Sequence, residues 1–175
     1  MQYTEFLQYC LDEHNELPVS AKSIDWSKLL VWAEQQAIVG VVFGGIQKAG
    51  KSLGIPTDVL FKWIGYVNQI EQRNKLLNKR CVELTEFLAN RGFDTCILKG
   101  QGNALLYPNP LWRTPGDIDV WIKSMSEGRC KRSDVIKYAK KQDSKARARY
   151  YHVEYQWKGM SVELHFMPGI MNNSF

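Results

Sequence analysis

The sequence predicts an α+β fold: a helical N-terminal region, residues 1–91, followed by a core at residues 92–175 in which short strands and flanking helices build a small sheet. Two observations predict it. Before Gly92 apolar residues recur at spacings of three and four, which paint single faces of helices. After Gly92 the period changes to short β-branched and apolar runs separated by Gly, Pro and Lys-Gly turns.

Taken in order, Tyr3, Phe6, Leu7, Cys10 and Leu11 form one helical face, and Leu17-Pro18 is the expected stop. Ser23 or Asp25 is the N-cap of a second helix carrying Trp26, Leu29, Leu30, Trp32 and Ala33, which runs into the Gly-punctuated "IVGVVFGGI". Pro56, with Thr57 and Asp58 in the first turn, opens a helix that meets no further proline before Asn90, with a break expected near Gly65 or within 68–74. Gly92 is its C-cap. "FDTCILKG" is then the first strand, "QGNALLYPNP" a short helix and loop, and "DIDVWIK" the second strand. "SDVIKYAKKQDS" is an amphipathic helix with Ser133 as N-cap. "ARYYHVEYQW" and "MSVELHF" form an antiparallel pair around Lys158-Gly159.

Composition excludes several classes. With 45% hydrophobic and 23% charged residues the chain is neither disordered nor fibrous. Its longest apolar stretch, Ala37 to Ile46, is about half of the ~20 residues a membrane span needs. Cysteines 10, 81, 96 and 130 show no CxxC pairing and the N-terminus no export signal, so reduced thiols and a cytoplasmic location are expected. Charge is uneven: across 123–149 ten Lys or Arg face three acids, although the whole chain carries only +5. That segment is either a solvated helix and loop or a surface for phosphates or nucleic acid.

The chemistry gathers in "RTPGDIDVW", residues 113–121. Residues two apart in a strand share a face, so Asp117 and Asp119 project together while Ile118 and Val120 enter the core. By the same parity Glu163 and His165 share a face of the last strand. Carboxylates ~4 Å apart repel by about 4 kcal/mol at the effective dielectric of a protein surface, and a hard divalent cation reverses that sign. Oxygen ligands of this kind suit Mg²⁺ or Mn²⁺.

"ILKGQGNALLYPNPLWRTPGDIDVWI" followed by "VELHF" resembles the DNA-polymerase-β-type nucleotidyltransferase superfamily, and within it a bacterial family of uncharacterised nucleotidyltransferases with a Lys-Gly turn, Gly-Asp-Ile-Asp and a Glu-Leu-His strand. The match spans roughly residues 94–168; at the turn, Lys99-Gly100-Gln101 stands where Gly-Gly or Gly-Ser is usual. The resemblance implies a small mixed sheet with flanking helices and a two-metal transfer of a nucleoside monophosphate from a nucleoside triphosphate to an acceptor hydroxyl. It implies that Asp117, Asp119 and Glu163 are catalytic and hold two Mg²⁺ or Mn²⁺ ions, and that Gly100 and Gln101 offer backbone N–H groups to phosphates.

Lys99 and Arg113 lie beside the implied phosphate path, the alternatives being a solvent-facing strand end and a loop-bracing salt bridge. His165 is a hydrogen-bonding neighbour of the carboxylates, and His152 reads mainly as an ordinary strand histidine. Trp112 and Trp121 could stack a base but read better as packing. The competing function is a non-catalytic module of the same fold that binds nucleic acid or a protein through 123–149. A metallohydrolase using Asp117, Asp119, His152 and His165 fits less well, because none of the three histidines is in an HxH or HxxxH spacing. The resemblance further implies helices after the third acid, so the chain is expected to be a truncated form of a longer protein.

Overall fold

The computed structural model describes residues 2–126 and 130–167. By contact the chain divides into a helical unit, Met1–Asn74 with Tyr107–Thr114, and an α/β unit, Lys75–Leu106 with Pro115–Phe175. The fold is α+β, with a helical first half followed by a five-stranded mixed sheet and its helices.

In the helical unit α1 (Gln2–Leu11), α2 (Trp26–Gln35), α3 (Val39–Ala49) and the first part of α4 (Thr57–Ala89) bury Phe6, Leu29, Val42 and Trp63. α1 ends at Leu11, well before the expected Pro18 stop. Two of its last carbonyls have partners outside the helix, Asn15 Nδ2 donating to Gln8 at 3.0 Å and Lys48 Nζ to Tyr9 at 3.4 Å, and Lys48 also holds the following turn through the carbonyls of Asp12 and Asn15 at 2.9 and 3.1 Å. Asp25 caps α2, its carboxylate accepting from the Lys28 N–H at 3.1 Å. α4 is continuous for 33 residues, so the expected break is absent. Asn74 explains part of this: it is fully buried, and its Nδ2 donates to the carbonyls of Leu111 and Arg113 at 2.8 and 2.7 Å. Its polarity serves the returning 107–114 segment rather than a helix end.

The α/β unit contains β1 (Phe93–Ile97), α5 (Lys99–Ala104), β2 (Ile118–Ser124), α6 (Arg132–Gln142), β3 (Arg147–Ala148), β4 (His152–Trp157) and β5 (Met160–His165). The sheet order is β1-β2-β5-β4-β3, and only β2 and β5 run parallel. Lys158 and Gly159, with φ of 46° and 79°, close the β4–β5 hairpin in the paired left-handed conformation that matches strand twist. "ARYYHVEYQW" is not one strand. It folds back on itself, the Arg149 N–H donating to the His152 carbonyl at 2.8 Å, so that Arg147 pairs with Glu154. α6 begins one turn-position earlier than expected, with Lys131 rather than Ser133 at its N-cap.

One sheet face carries Ile118, Val120, Ile122, Val153, Tyr155, Trp157, Val162 and Leu164, all buried with Leu77, Leu84 and Leu88 of α4 and Val135 and Ala139 of α6. Strand parity then sends every alternate side chain to the other face. Among the described residues, no helix is long and apolar enough to cross a membrane.

Candidate active site

The polar face of the sheet is built from register. Asp119 on β2 stands beside Glu163 on β5, and Glu163 beside Glu154 on β4; one step along, Trp121, His165 and His152 form the next row. Residues paired in register project to the same side, so three carboxylates and two imidazoles converge. Asp117 immediately precedes β2 and is half-buried.

Asp119 is buried despite its charge. Its Oδ1 accepts from Lys99 Nζ at 2.9 Å and lies 2.9 Å from His165 Nε2. Burial pushes the Asp119 carboxyl up, but the hydrogen bonds from Lys99 and His165 outweigh it and hold it below the usual carboxylate range. The same bond to Asp119 raises Lys99, helped by the charges of Glu163 and Asp117. Glu163 goes the other way: burial lifts its carboxyl, His152 opposes, and the neighbouring Asp119 and Asp117 lift it further. The site thus holds one strongly paired carboxylate and one reluctant to ionise.

His165 Nε2 also lies 3.2 Å from Glu163 Oε2, and His152 Nε2 lies 3.6 Å from Glu163 Oε1 and 3.4 Å from Glu154 Oε1. Arg149 Nε closes this side, 2.8 Å from Glu154 Oε1. Lys99 sits at the start of α5 with φ of 42°, an uncommon backbone state for a residue with a Cβ. Gly100 is buried in the kink that follows, and the Gln101 side chain donates to Asn78. Gly100 departs from helical φ and ψ, so α5 opens on this kink rather than on a regular first turn.

Arg113 belongs to the helical unit, where its carbonyl accepts from Asn74 and its Nη1 is buried with no partner among the described residues. Trp112 is a packing residue, edge-on to Phe43 at 5.4 Å and donating from Nε1 to Glu71 at 2.7 Å. A cleft in the helical unit lined by Phe43, Ile46, Lys51, Leu60 and Ile64 has one charged side chain among these and no cluster for chemistry. Sequence reading passed over Glu154. Its signal was present: the alternation of "HVEYQW" across a two-residue Lys-Gly turn places Glu154 opposite Glu163.

A protein-family model described as an uncharacterised nucleotidyltransferase matches residues 22–173. No curated protein and no solved structure matches the chain.

Proposed function

The chain belongs to this uncharacterised nucleotidyltransferase family, and on that premise we propose that it transfers a nucleoside monophosphate from a nucleoside triphosphate to an acceptor hydroxyl, with Asp117, Asp119 and Glu163 as the catalytic carboxylates. The observation that carries the proposal is the pairing of Asp119 with Glu163 on adjacent parallel strands, two residues after Asp117. The donor set fits hard divalent ions, since its oxygens carry more negative charge than Lys99 alone offsets, and burial together with the neighbouring aspartates holds Glu163 above its ordinary range. Asp117, Asp119 and Glu163 would hold two Mg²⁺ or Mn²⁺ ions, which when bound supply charge neutralisation and a template for in-line displacement.

The residues themselves divide the work. Glu163, lifted toward protonation, accepts the proton of the acceptor hydroxyl more readily than an ordinary carboxylate. The acceptor oxygen bonds to the α-phosphorus as the bond to the bridging oxygen breaks, and pyrophosphate leaves with that electron pair. Lys99, exposed at its tip, faces the phosphates, and the backbone N–H groups of Gly100 and Gln101 complete their cradle.

Incubating the chain with Mg²⁺ and α-labelled triphosphates, and measuring nucleotide binding and pyrophosphate release, tests this. Binding and turnover are expected in the wild type, with turnover lost in Asp119→Asn; a wild type that binds no Mg²⁺-nucleotide overturns it. A second reading rests on Lys131, Arg132, Lys137, Lys140 and Lys141, all exposed on or beside α6. Salt-sensitive nucleic-acid binding lost with these residues, and unaffected by Asp119→Asn, would favour a binding module.

A further inference from the structure

We propose that His152, Glu163 and His165 form a binding position for a d-block divalent cation, Zn²⁺ by its donor set, marked off by its two imidazoles from the oxygen-only carboxylate positions. One donor atom from each of the three residues lies within 4.8 Å of the others. His152 and His165 are register partners on antiparallel strands, their rings 4.9 Å apart, and Glu163 is two residues before His165 on the same face. The imidazole nitrogens stand 3.6 and 3.2 Å from the two Glu163 oxygens. Tetrahedral zinc with bonds of about 2.0–2.2 Å sets its ligands roughly 3.3–3.5 Å apart; each imidazole stands near that distance from one Glu163 oxygen, and the three donors draw together from within 4.8 Å as the ion binds.

Two imidazoles and one carboxylate are the ligands of zinc sites that keep an open position, whereas Mg²⁺ demands oxygen and gives up its waters reluctantly. Asp119 Oδ1, 2.9 Å from His165 Nε2, is placed to become a fourth donor as the shared proton leaves. Charge supports a dication here. Among the described residues, Asp117, Asp119, Glu154 and Glu163 face Lys99 and Arg149 as partnered cations, which leaves two negative charges when both imidazoles are neutral. Glu154 Oε1 lies 3.4 Å from the same His152 Nε2, so it adds a further carboxylate oxygen beside the ion's position. Such an ion would sit beside the carboxylates assigned above to nucleotide transfer and share Glu163 with them, but its binding does not require that assignment.

Calorimetric titration of the chelator-treated full chain with ZnCl₂ alone, without nucleotide, tests the proposal, and Co²⁺ substitution gives an absorption band sensitive to nitrogen ligands. One Zn²⁺ per chain is expected, not displaced by excess Mg²⁺. His152→Asn and His165→Asn should each weaken it by at least about tenfold, the lower end of what loss of even an outer partner costs. Asp117→Asn serves as the comparison and should retain zinc, with circular dichroism reporting that every variant is folded. No zinc uptake by the wild type, or undiminished uptake by the His152→Asn/His165→Asn double variant, overturns the proposal. Zinc uptake without Mg²⁺-nucleotide binding would sink the transferase assignment alone, and the reverse result would sink only the zinc position.

Discussion

Lys99 Nζ and Asp119 Oδ1 are 2.9 Å apart, an ammonium exposed at the surface bonded to a carboxylate that is almost wholly buried. A divalent ion arriving at Asp119 must compete with that ammonium for the same oxygen. Lys99→Met should therefore raise affinity for Mn²⁺ alone several-fold while weakening binding of the Mg²⁺-triphosphate. Titration of each ligand separately checks this, and a fall in Mn²⁺ affinity would contradict the competition.

Leu164 is fully buried in β5 between Glu163 and His165. Truncation to Ala leaves a cavity under the site and should cost about 2–5 kcal/mol. Urea unfolding measures it. A change within experimental error would mean that the sheet and α6 collapse onto the gap.

Asp143 Oδ2 accepts from the Gln156 N–H and Oδ1 from the Lys145 N–H, both at 2.9 Å, tying the end of α6 to β4. The bond from Gln156, then that from Lys145, hold its carboxyl below the usual range. A depressed folded value means that this contribution is present at neutral pH and lost as pH falls through that value. Asp143→Asn should lower the melting temperature at pH 7, and the difference should shrink steadily as pH falls below the ordinary carboxylate range. Equal destabilisation at every pH would assign the effect to packing.

Burial pushes the Cys10 thiol up to about 12 and Cys81 to about 11, whereas Cys96 is exposed. Alkylation at pH 8, mapped by mass spectrometry, should therefore label Cys96 before Cys10 and Cys81, because the thiolate is the reacting form. Faster labelling of Cys10 would signal local opening of α1.

Much of the polar face was legible in the chain because parity is local. Ile118 and Val120 enter the core and Asp119 leaves it for the reason given by "DIDVW" alone, and Glu163 and His165 follow the same rule. Asp25 as a cap and Lys158-Gly159 as a hairpin turn were equally readable, each depending on neighbours within three residues. Ser133 was a good capping residue passed over for Lys131, and the continuous strand through Tyr150 and Tyr151 was not formed. In the second case β-rich composition was read without the turn in which Arg149 bonds the His152 carbonyl.

Local patterning along the chain settles which residues share a strand face, where the helical period gives way to the β period, and that a carboxylate pair is followed by a lone acid. Neighbours across the sheet come from long-range packing. That Asp119 lies beside Glu163 and that Glu154 and His152 join them depend on strand order and register, and Lys99 reaches Asp119 from the start of α5. Side-chain direction follows from backbone geometry two residues away, but register is set by burying Ile118, Val120, Val162 and Leu164 together, across separations in sequence that no local pattern can encode.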